Sequence, residues 1–256
     1  MIWQIFSYKN AIMRTYQALI LIFLIILLII FIMVQHYMII YDLYVRICSK
    51  DDLGPFPSLR RRKSIKDLKR MYPTIREEMI KNRKHFSAIR GDLFFEDKII
   101  KTDKWKKVYL KWYSKSPSYA YKLFPSTMEF IDRNKDIKLA MFSLLEPGGR
   151  ILPHCGPFAG CIRVHLCLTG PNDDRCYISV GGKKYSWREG EIVCFNDTYR
   201  HYVVNNTDKE RVVLFLDVER KMKLSALNKW IIKTIAPRTT RMNDELEKMS
   251  SVNNNE

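Results

Sequence analysis

The chain has 256 residues, and its 44 lysines and arginines against 27 acidic residues give a formal net charge of +17 at pH 7. This length allows one catalytic domain with a substantial core. The charge favours an anionic partner such as anionic lipid, a phosphorylated substrate or nucleic acid, although a solvated basic surface also explains much of it. The six cysteines include no Cys-x-x-Cys pair, which argues against zinc-ribbon and thioredoxin-like sites and suits a reducing compartment.

The first predicted element is a membrane anchor. Residues 18–34 form an unbroken apolar run, and residues 37–40 extend it. A helix needs about 20 apolar residues to cross a bilayer, and no small-residue cleavage site of the kind found in signal peptides follows the run. We therefore expect a short N-terminal segment over residues 1–17 and a retained transmembrane anchor with interfacial tyrosines over residues 18–44.

The charges that flank this anchor predict its orientation. Lys9 and Arg14 precede it, whereas a basic juxtamembrane linker, residues 45–70, follows it. Flanks rich in lysine and arginine stay on the cytoplasmic side, so we expect a single-pass protein of the inner (plasma) membrane with its catalytic domain in the cytoplasm. The cluster Arg60–Lys63 could also attract anionic headgroups, and membrane topology alone accounts for it equally well.

Two helices and one strand are predicted before the main β region. Thr74 and Glu77 have the spacing of a capping box and predict a helix start at Thr74, and the same pattern recurs at Ser126. Between them, residues 105–113 alternate as a strand. One predicted face is apolar and consists of Val108, Leu110 and Trp112. The other is basic and aromatic and consists of Lys107, Tyr109, Lys111 and Tyr113. The second face would suit a phosphate and an acyl chain, and we expect no nucleic-acid partner.

From Ile137 onward the sequence has period two. Turn signals interrupt it at residues 147–149, 170–173, 181–182 and 205–206. Many short strands joined by such turns predict an antiparallel sandwich or barrel.

Alternation also places three basic side chains. Arg163 and His165 share the face of their strand opposite its apolar residues, so they line either the surface or a polar pocket. Arg211 shares a face with apolar neighbours, which is costly unless the guanidinium pairs with an anion. That anion is either a small dicarboxylate ligand or a protein carboxylate such as Asp197.

The joint spacing resembles that of iron(II)- and 2-oxoglutarate-dependent dioxygenases of the aspartyl/asparaginyl β-hydroxylase family. The residues that carry this resemblance are Ser143, His154, Arg163, His165, His201 and Arg211. It implies that His154 and His201 bind the metal, that Arg211 binds the distal carboxylate of 2-oxoglutarate, and that the other three hold the cosubstrate. With the two histidines, Arg211 is then catalytic, and iron(II), 2-oxoglutarate and O₂ are the expected cofactors.

The same resemblance implies a fold and a substrate. The fold is mainly β with flanking helices: a double-stranded β-helix, or cupin-like jelly roll, whose catalytic domain covers residues 71–220. Further segments resemble the bacterial lipid A 2-hydroxylases within this family, at residues 105–113, 157–160, 171–174, 185–188 and 217–220. The implied activity is hydroxylation at the 2-position of an acyl chain of lipid A or a related phosphorylated lipid.

Gly156 departs from the usual pattern. Non-haem iron oxygenases usually bind the metal through two histidines and a carboxylate, and the carboxylate stands two residues after the first histidine, where this chain has Gly156. Hydroxylases of protein aspartate and asparagine also lack it, and related halogenases place chloride there. A peptidyl aspartyl/asparaginyl β-hydroxylase and a catalytically silent lipid-binding relative therefore remain alternatives.

The last two predicted segments follow the catalytic domain. Residues 221–237 have the pattern of a basic amphipathic helix, which would lie on a membrane surface or pack on the domain. Residues 238–256 read as a disordered tail. The sequence does not indicate an oligomeric state.

Overall fold

The computed structural model describes residues 2–87, 103–113, 115–156 and 158–234, and within the first helix it describes side chains at residues 13, 15–28 and 39–48. The helices are α1 (Ile2–Cys48), α2 (Lys63–Lys81), α3 (Ser118–Leu123), α4 (Pro125–Arg133) and α5 (Ser225–Thr234). The strands are β1 (Trp105–Trp112), β2 (Ile137–Leu145), β3 (Arg150–His154), β4 (Cys161–Thr169), β5 (Cys176–Val180), β6 (Lys183–Ser186), β7 (Ile192–Phe195), β8 (His201–Asn205) and β9 (Arg211–Glu219). The chain divides into two units, Met1–Tyr44 and Val45–Glu256.

Helix α1 accounts for the first unit. Its apolar side chains from Leu19 to Leu28 are each between 45% and 60% exposed. Within the residues whose side chains the structure describes, no helix is long and apolar enough to span a bilayer. The predicted anchor at 18–44 includes residues 29–38, whose side chains lie outside the described part.

The second unit is mainly β, with two antiparallel sheets and flanking helices. The five-stranded sheet has the order β1-β2-β9-β4-β7, and the four-stranded sheet has the order β3-β8-β5-β6. One face of the larger sheet packs against α2, α3 and α4 through Leu68, Ala120 and Met128. Its opposite face forms a second apolar cluster with the smaller sheet, which includes Phe215 and Ile178. The site described below lies among residues of this second cluster.

The period-two prediction is confirmed along the main β region. β2 begins at Ile137, and the predicted turns join β2 to β3, β4 to β5, β5 to β6 and β8 to β9. Gly181 and Gly182 connect β5 to β6 with φ angles of 55° and 81°. Both lie in the left-handed region that a two-residue hairpin turn requires and that glycine adopts without steric cost.

The predicted faces of β1 are wrong at their C-terminal end. The pairing of β1 with β2 shifts between Tyr109 and Lys111, so a bulge interrupts the alternation. Trp112 therefore lies in the same cluster as Tyr109, whereas Leu110 faces the helices. Lys107 is also buried, with its ammonium 4.1 Å from the centre of the Trp105 ring. The basic part of the expected surface therefore does not form, whereas its two tyrosines, Tyr109 and Tyr113, line the cavity described below.

The predicted helix start at Thr74 is also wrong, because α2 begins at Lys63 and contains Pro73. Apolar residues on both sides of Pro73 pack into the core beneath α2, and this packing outweighs the local break. The second predicted helix exists as α4, but Glu78 of α2 caps it: the carboxylate accepts hydrogen bonds from the backbone amides of Ser126 and Thr127, at 2.7 and 2.9 Å.

Buried arginines fasten the segment between α1 and α2 to the rest of the second unit. Arg62 is ion-paired with Asp51, so it is not a free charge for lipid headgroups. Arg220 donates to the carbonyl oxygen of Asp52 at 3.3 Å and to the side-chain oxygen of Asn196 at 3.2 Å. The segment before α2 is therefore part of the folded unit.

Helix α5 confirms that residues 221–237 include a helix. Asn228 and Ile232 are its buried residues. The end of the predicted helix and the predicted tail at 238–256 lie outside the described residues.

Candidate active site

The two predicted metal ligands are cross-strand partners. His154 ends β3, His201 begins β8, and the two residues face each other in the antiparallel pair. Their ring centres are 4.2 Å apart. The Nδ1 atom of His154 donates to the carbonyl oxygen of Leu152 at 2.7 Å, and that of His201 donates to the carbonyl oxygen of Tyr199 at 2.9 Å. Each Nε2 atom is therefore left as the acceptor nitrogen.

Both imidazoles favour the neutral form that binds metal ions. Burial and the neighbouring His154 ring lower the pKa of His201 to about 3. Burial also lowers the pKa of His154. Within the described ranges, no group of three or more histidine, cysteine and acidic side chains is arranged to hold a metal ion. The two imidazoles are ligands of a type that suits iron, zinc, copper and nickel.

The histidines open onto a cavity of about 110 Å³ between the two sheets. All six residues that the sequence analysis assigned to the site line it. Much of its wall is aromatic, and these residues are Trp105, Tyr109, Trp112, Tyr113, Phe158, Phe195 and Phe215. The cavity thus places a small cluster of polar groups beside an extended apolar surface.

Arg211 is a buried cation without a carboxylate partner in the described structure. Its side chain is 1% exposed. Its Nε and Nη2 atoms have no hydrogen-bond partner among the described residues, and the guanidinium lies 4.6 Å above the centre of the Trp187 ring. Burial lowers its pKa. Pairing with Asp197, the alternative that the sequence left open, does not occur, so a bound anion would satisfy this guanidinium.

Arg163 differs from Arg211 because it has two carboxylate partners. Its Nε atom lies 3.0 Å from Asp217, and its Nη2 atom lies 3.0 Å from Asp197. Burial disfavours the Arg163 cation, but these two carboxylates outweigh it and raise the pKa of Arg163. The expectation that Arg163 holds the cosubstrate therefore has less support than the same expectation for Arg211.

Ser143 and His165 supply neutral polar groups. The Ser143 hydroxyl oxygen accepts a hydrogen bond from Trp105 Nε1 at 2.8 Å, which leaves its own proton to donate. Both ring nitrogens of His165 are buried, and neither has a partner among the described residues. Burial and the nearby cations Arg211 and Arg163 hold the pKa of His165 well below its usual value. A neutral His165 can donate one hydrogen bond to a ligand.

Gly156 is in close contact with a carboxylate from another loop. A Cβ atom at this position would lie 1.9 Å from Asp197 Oδ2 and 2.4 Å from Asp197 Cγ. The Gly156 amide also donates to the Asp197 carbonyl oxygen at 2.7 Å. The space that a side chain at residue 156 would fill is thus occupied by the side chain of Asp197, which is 4% exposed.

Gly156→Ala is expected to destabilise the protein by about 2–4 kcal/mol, because Asp197 has to leave its ion pair with Arg163. A double-mutant cycle with Asp197→Ala measures this conflict through urea unfolding. Without the Asp197 carboxylate, Gly156→Ala should cost less than about 1 kcal/mol. Equal costs in both backgrounds would contradict the steric account. Gly156→Asp would add a second carboxylate to the same space, so we expect it not to restore a three-ligand site.

Two features of the site were missed by sequence reasoning. The sequence suggests Asp197 only as a partner for Arg211, since nothing in a loop pattern shows that Asp197 packs on Gly156. The place of Trp112 in the cavity wall depends on the bulge after Tyr109. The residue after this strand, Tyr113, is also irregular, since its φ of 51° is left-handed.

Comparison with known proteins gives one family and several relatives. The sequence model of the family described as Aspartyl/Asparaginyl beta-hydroxylase matches residues 69–221. Ornithine lipid ester-linked acyl 2-hydroxylase from Rhizobium tropici is 33% identical over 175 residues, which are 66% of this chain and 62% of that protein. Human aspartyl/asparaginyl beta-hydroxylase is 31% identical over 77 residues, which are 30% of this chain and 10% of that protein. The chain thus spans less than two thirds of either relative.

Among solved structures, a prolyl-4-hydroxylase from Pseudomonas putida is similar with a TM-score of 0.40 and 14% identity, covering 60% of this chain and 88% of that one.

Proposed function

The chain belongs to the aspartyl/asparaginyl β-hydroxylase family, and on this premise we propose that it is an iron(II)- and 2-oxoglutarate-dependent dioxygenase that hydroxylates a lipid acyl chain at its 2-position. The observation that best supports 2-oxoglutarate as the cosubstrate is Arg211, a buried cation without a carboxylate partner in the described structure. The histidine pair that lines the same cavity supports the proposal of a bound iron(II) ion. The strand order of the two sheets supports a double-stranded β-helix.

Each polar residue of the cavity has a part in the proposed reaction. His154 and His201 offer Nε2 to the metal, and their Nδ1 hydrogen bonds fix the ring orientation. Arg211 neutralises one carboxylate of 2-oxoglutarate, and Ser143 and His165 can donate hydrogen bonds to it. With iron bound, O₂ and 2-oxoglutarate convert a C–H bond to C–OH and yield succinate and CO₂. The protein orients the target C–H bond and excludes water.

The cavity wall favours an apolar substrate. Its aromatic residues adjoin the aliphatic side chains of Leu139, Met141 and Ile151. Contact with such surface releases water from an acyl chain and stabilises its binding. The Rhizobium tropici relative is by name an acyl 2-hydroxylase of ornithine lipid. An acyl chain of a membrane lipid is therefore our proposed substrate class, with lipid A as the expected lipid and ornithine lipid as the comparison to test beside it.

A peptidyl aspartyl/asparaginyl β-hydroxylase is the second candidate, and Gly156 together with the human relative favours it. The charges of the cavity oppose it for aspartyl substrates. If Arg211 binds 2-oxoglutarate, the other lining arginine is Arg163, which already pairs with Asp197 and Asp217. Among the described lining residues, no further cation remains for a substrate carboxylate.

We propose that the protein is held at the inner membrane by a single anchor at residues 18–44, with its second unit in the cytoplasm. The exposed apolar side chains from Leu19 to Leu28 support an anchor. The basic flank after residue 44 supports a cytoplasmic second unit. The six cysteines are free, which is consistent with a reducing compartment.

The test combines cosubstrate turnover with lipid analysis. The purified full chain, loaded anaerobically with iron(II), is given 2-oxoglutarate, O₂ and vesicles that contain lipid A or ornithine lipid. We expect succinate to form together with one added oxygen atom per modified acyl chain. Hydrolysis of the lipid and chromatography of the released fatty acids should identify 2-hydroxy acids. The His201→Ala protein serves as the matched inactive control.

The outcomes separate the candidates. Succinate formation that depends on an aspartyl or asparaginyl peptide, with no oxygen added to either lipid, would refute the lipid proposal and favour the peptidyl one. Iron binding without any succinate would favour the catalytically silent relative. Comparison of lipid mass spectra from cells with and without the gene checks the same lipid assignment in the native membrane.

A further inference from the structure

Helix α5 and the turn before it expose an apolar strip. Leu224, Leu227 and Trp230 recur every three residues and are 55%, 42% and 58% exposed. Asn228 and Ile232, by contrast, are buried. The helix is therefore docked through one side and presents a second apolar side outward. Large apolar side chains grouped in this way on a surface mark a contact site.

The charges along residues 220–234 are all positive. Lys221, Lys223, Lys229 and Lys233 are all exposed. Residues 220–234 contain no aspartate or glutamate. An apolar strip flanked by lysines, with a tryptophan among the apolar residues, matches an interfacial helix on an anionic bilayer. Tryptophan suits this depth because its ring is apolar and its N–H can remain hydrated.

Two backbone hydrogen bonds link the turn before α5 to residues 48–50, which follow the proposed anchor. The Lys223 amide donates to the Cys48 carbonyl oxygen at 2.8 Å, and the Lys50 amide donates to the Lys221 carbonyl oxygen at 2.8 Å. Cys48 lies four residues after residue 44, where the proposed anchor ends, and four residues of chain span at most about 14 Å. If the anchor spans the bilayer, the chain therefore keeps the first turn of α5 close to the membrane surface.

We propose that α5 is a second membrane contact, in which Leu224, Leu227 and Trp230 insert into the headgroup region of an anionic bilayer. The lysines bind the phosphates of anionic phospholipids. The contact goes beyond the proposed reaction, because it concerns how the second unit is held against the membrane.

The test uses the full chain in vesicles, with tryptophan fluorescence as the readout, so it is independent of turnover. Vesicles contain phosphatidylglycerol with acyl chains brominated near the headgroup, and bromine quenches tryptophans that reach this depth. The spectrum of the Trp230→Phe protein is subtracted from that of the wild type, which isolates Trp230. We expect bromine to quench most of the Trp230 fluorescence in phosphatidylglycerol vesicles. It should quench less of that fluorescence in phosphatidylcholine vesicles whose chains are brominated at the same position.

A charge-reversal pair provides the matched control. The double variant Lys229→Glu with Lys233→Glu should abolish most of the bromine quenching. The double variant Lys122→Glu with Lys135→Glu makes the same charge change at exposed sites on and next to other helices. This control should leave the bromine quenching unchanged. Quenching of Trp230 by aqueous acrylamide and not by bromine would overturn the proposal. Protection from both quenchers would also overturn it, and would assign the strip to a second copy or to residues 235–256.

Discussion

The Arg211→Met protein is expected to lose 2-oxoglutarate binding and to unfold less readily than the wild type. Removing one partner of a buried, hydrogen-bonded charge pair costs about 2–5 kcal/mol of binding free energy. In the absence of ligand, however, Arg211 is a buried cation without a carboxylate partner in the described structure. Replacing such a charge by an apolar side chain of similar length should raise the free energy of unfolding by about 1–3 kcal/mol.

Thermal unfolding with and without 2-oxoglutarate measures both effects of Arg211→Met in one experiment. The cosubstrate should raise the melting temperature of iron-loaded wild type, because it binds the folded state, and should leave that of the variant unchanged. Arg133→Met, at an exposed position on α4, controls for the loss of one positive charge. A variant that is less stable than the wild type and still binds 2-oxoglutarate would show that Arg211 is a structural cation.

The His154→Ala and His201→Ala proteins are expected to lose iron(II) binding and turnover while they remain folded. Each substitution removes one of the two imidazoles at the centre of the site. Turnover should fall by more than about 100-fold, because mutating a residue that only orients a metal ligand already lowers activity by up to about that factor. Anaerobic iron(II) titration and succinate formation are the measurements.

His85→Ala is the matched control for the histidine variants. His85 lies in a short 3-10 turn after α2 and is outside the cavity lining. Iron affinity and turnover should stay at wild-type levels in this variant. Unchanged turnover in either His154→Ala or His201→Ala would refute the assignment of the metal ligands.

Strand alternation predicted the polar face of this site because the pairing is regular where these residues lie, from Cys161 to Cys167 in β4 and from Arg211 to Asp217 in β9. Arg163 and His165 line the cavity while their alternate neighbours fill the core beneath the helices. Arg211 shares its face with Phe215 and Asp217, as the period of two requires. A pattern of fixed period is therefore sufficient where the backbone contains no irregularity.

The failures arose where distant contacts outweigh a local pattern. The bulge in β1 moves Trp112 to the face of Tyr109, and no residue type in that strand announces it. Helix α2 continues through Pro73 because apolar residues on both sides of it are buried. Asp197 reaches Gly156 only in the folded structure, so the carboxylate beside the histidines had no signature in the chain.

The contact between Gly156 and Asp197 also constrains how this site can diverge. Because a Cβ atom at residue 156 would overlap the carboxylate of Asp197, the two positions share one volume. A descendant that acquires a carboxylate after its first histidine must first shorten residue 197 or displace its loop. The two ligand arrangements are therefore separated by at least two substitutions, and an intermediate with large side chains at both positions is disfavoured. Exchange between them should leave paired changes at residues 156 and 197.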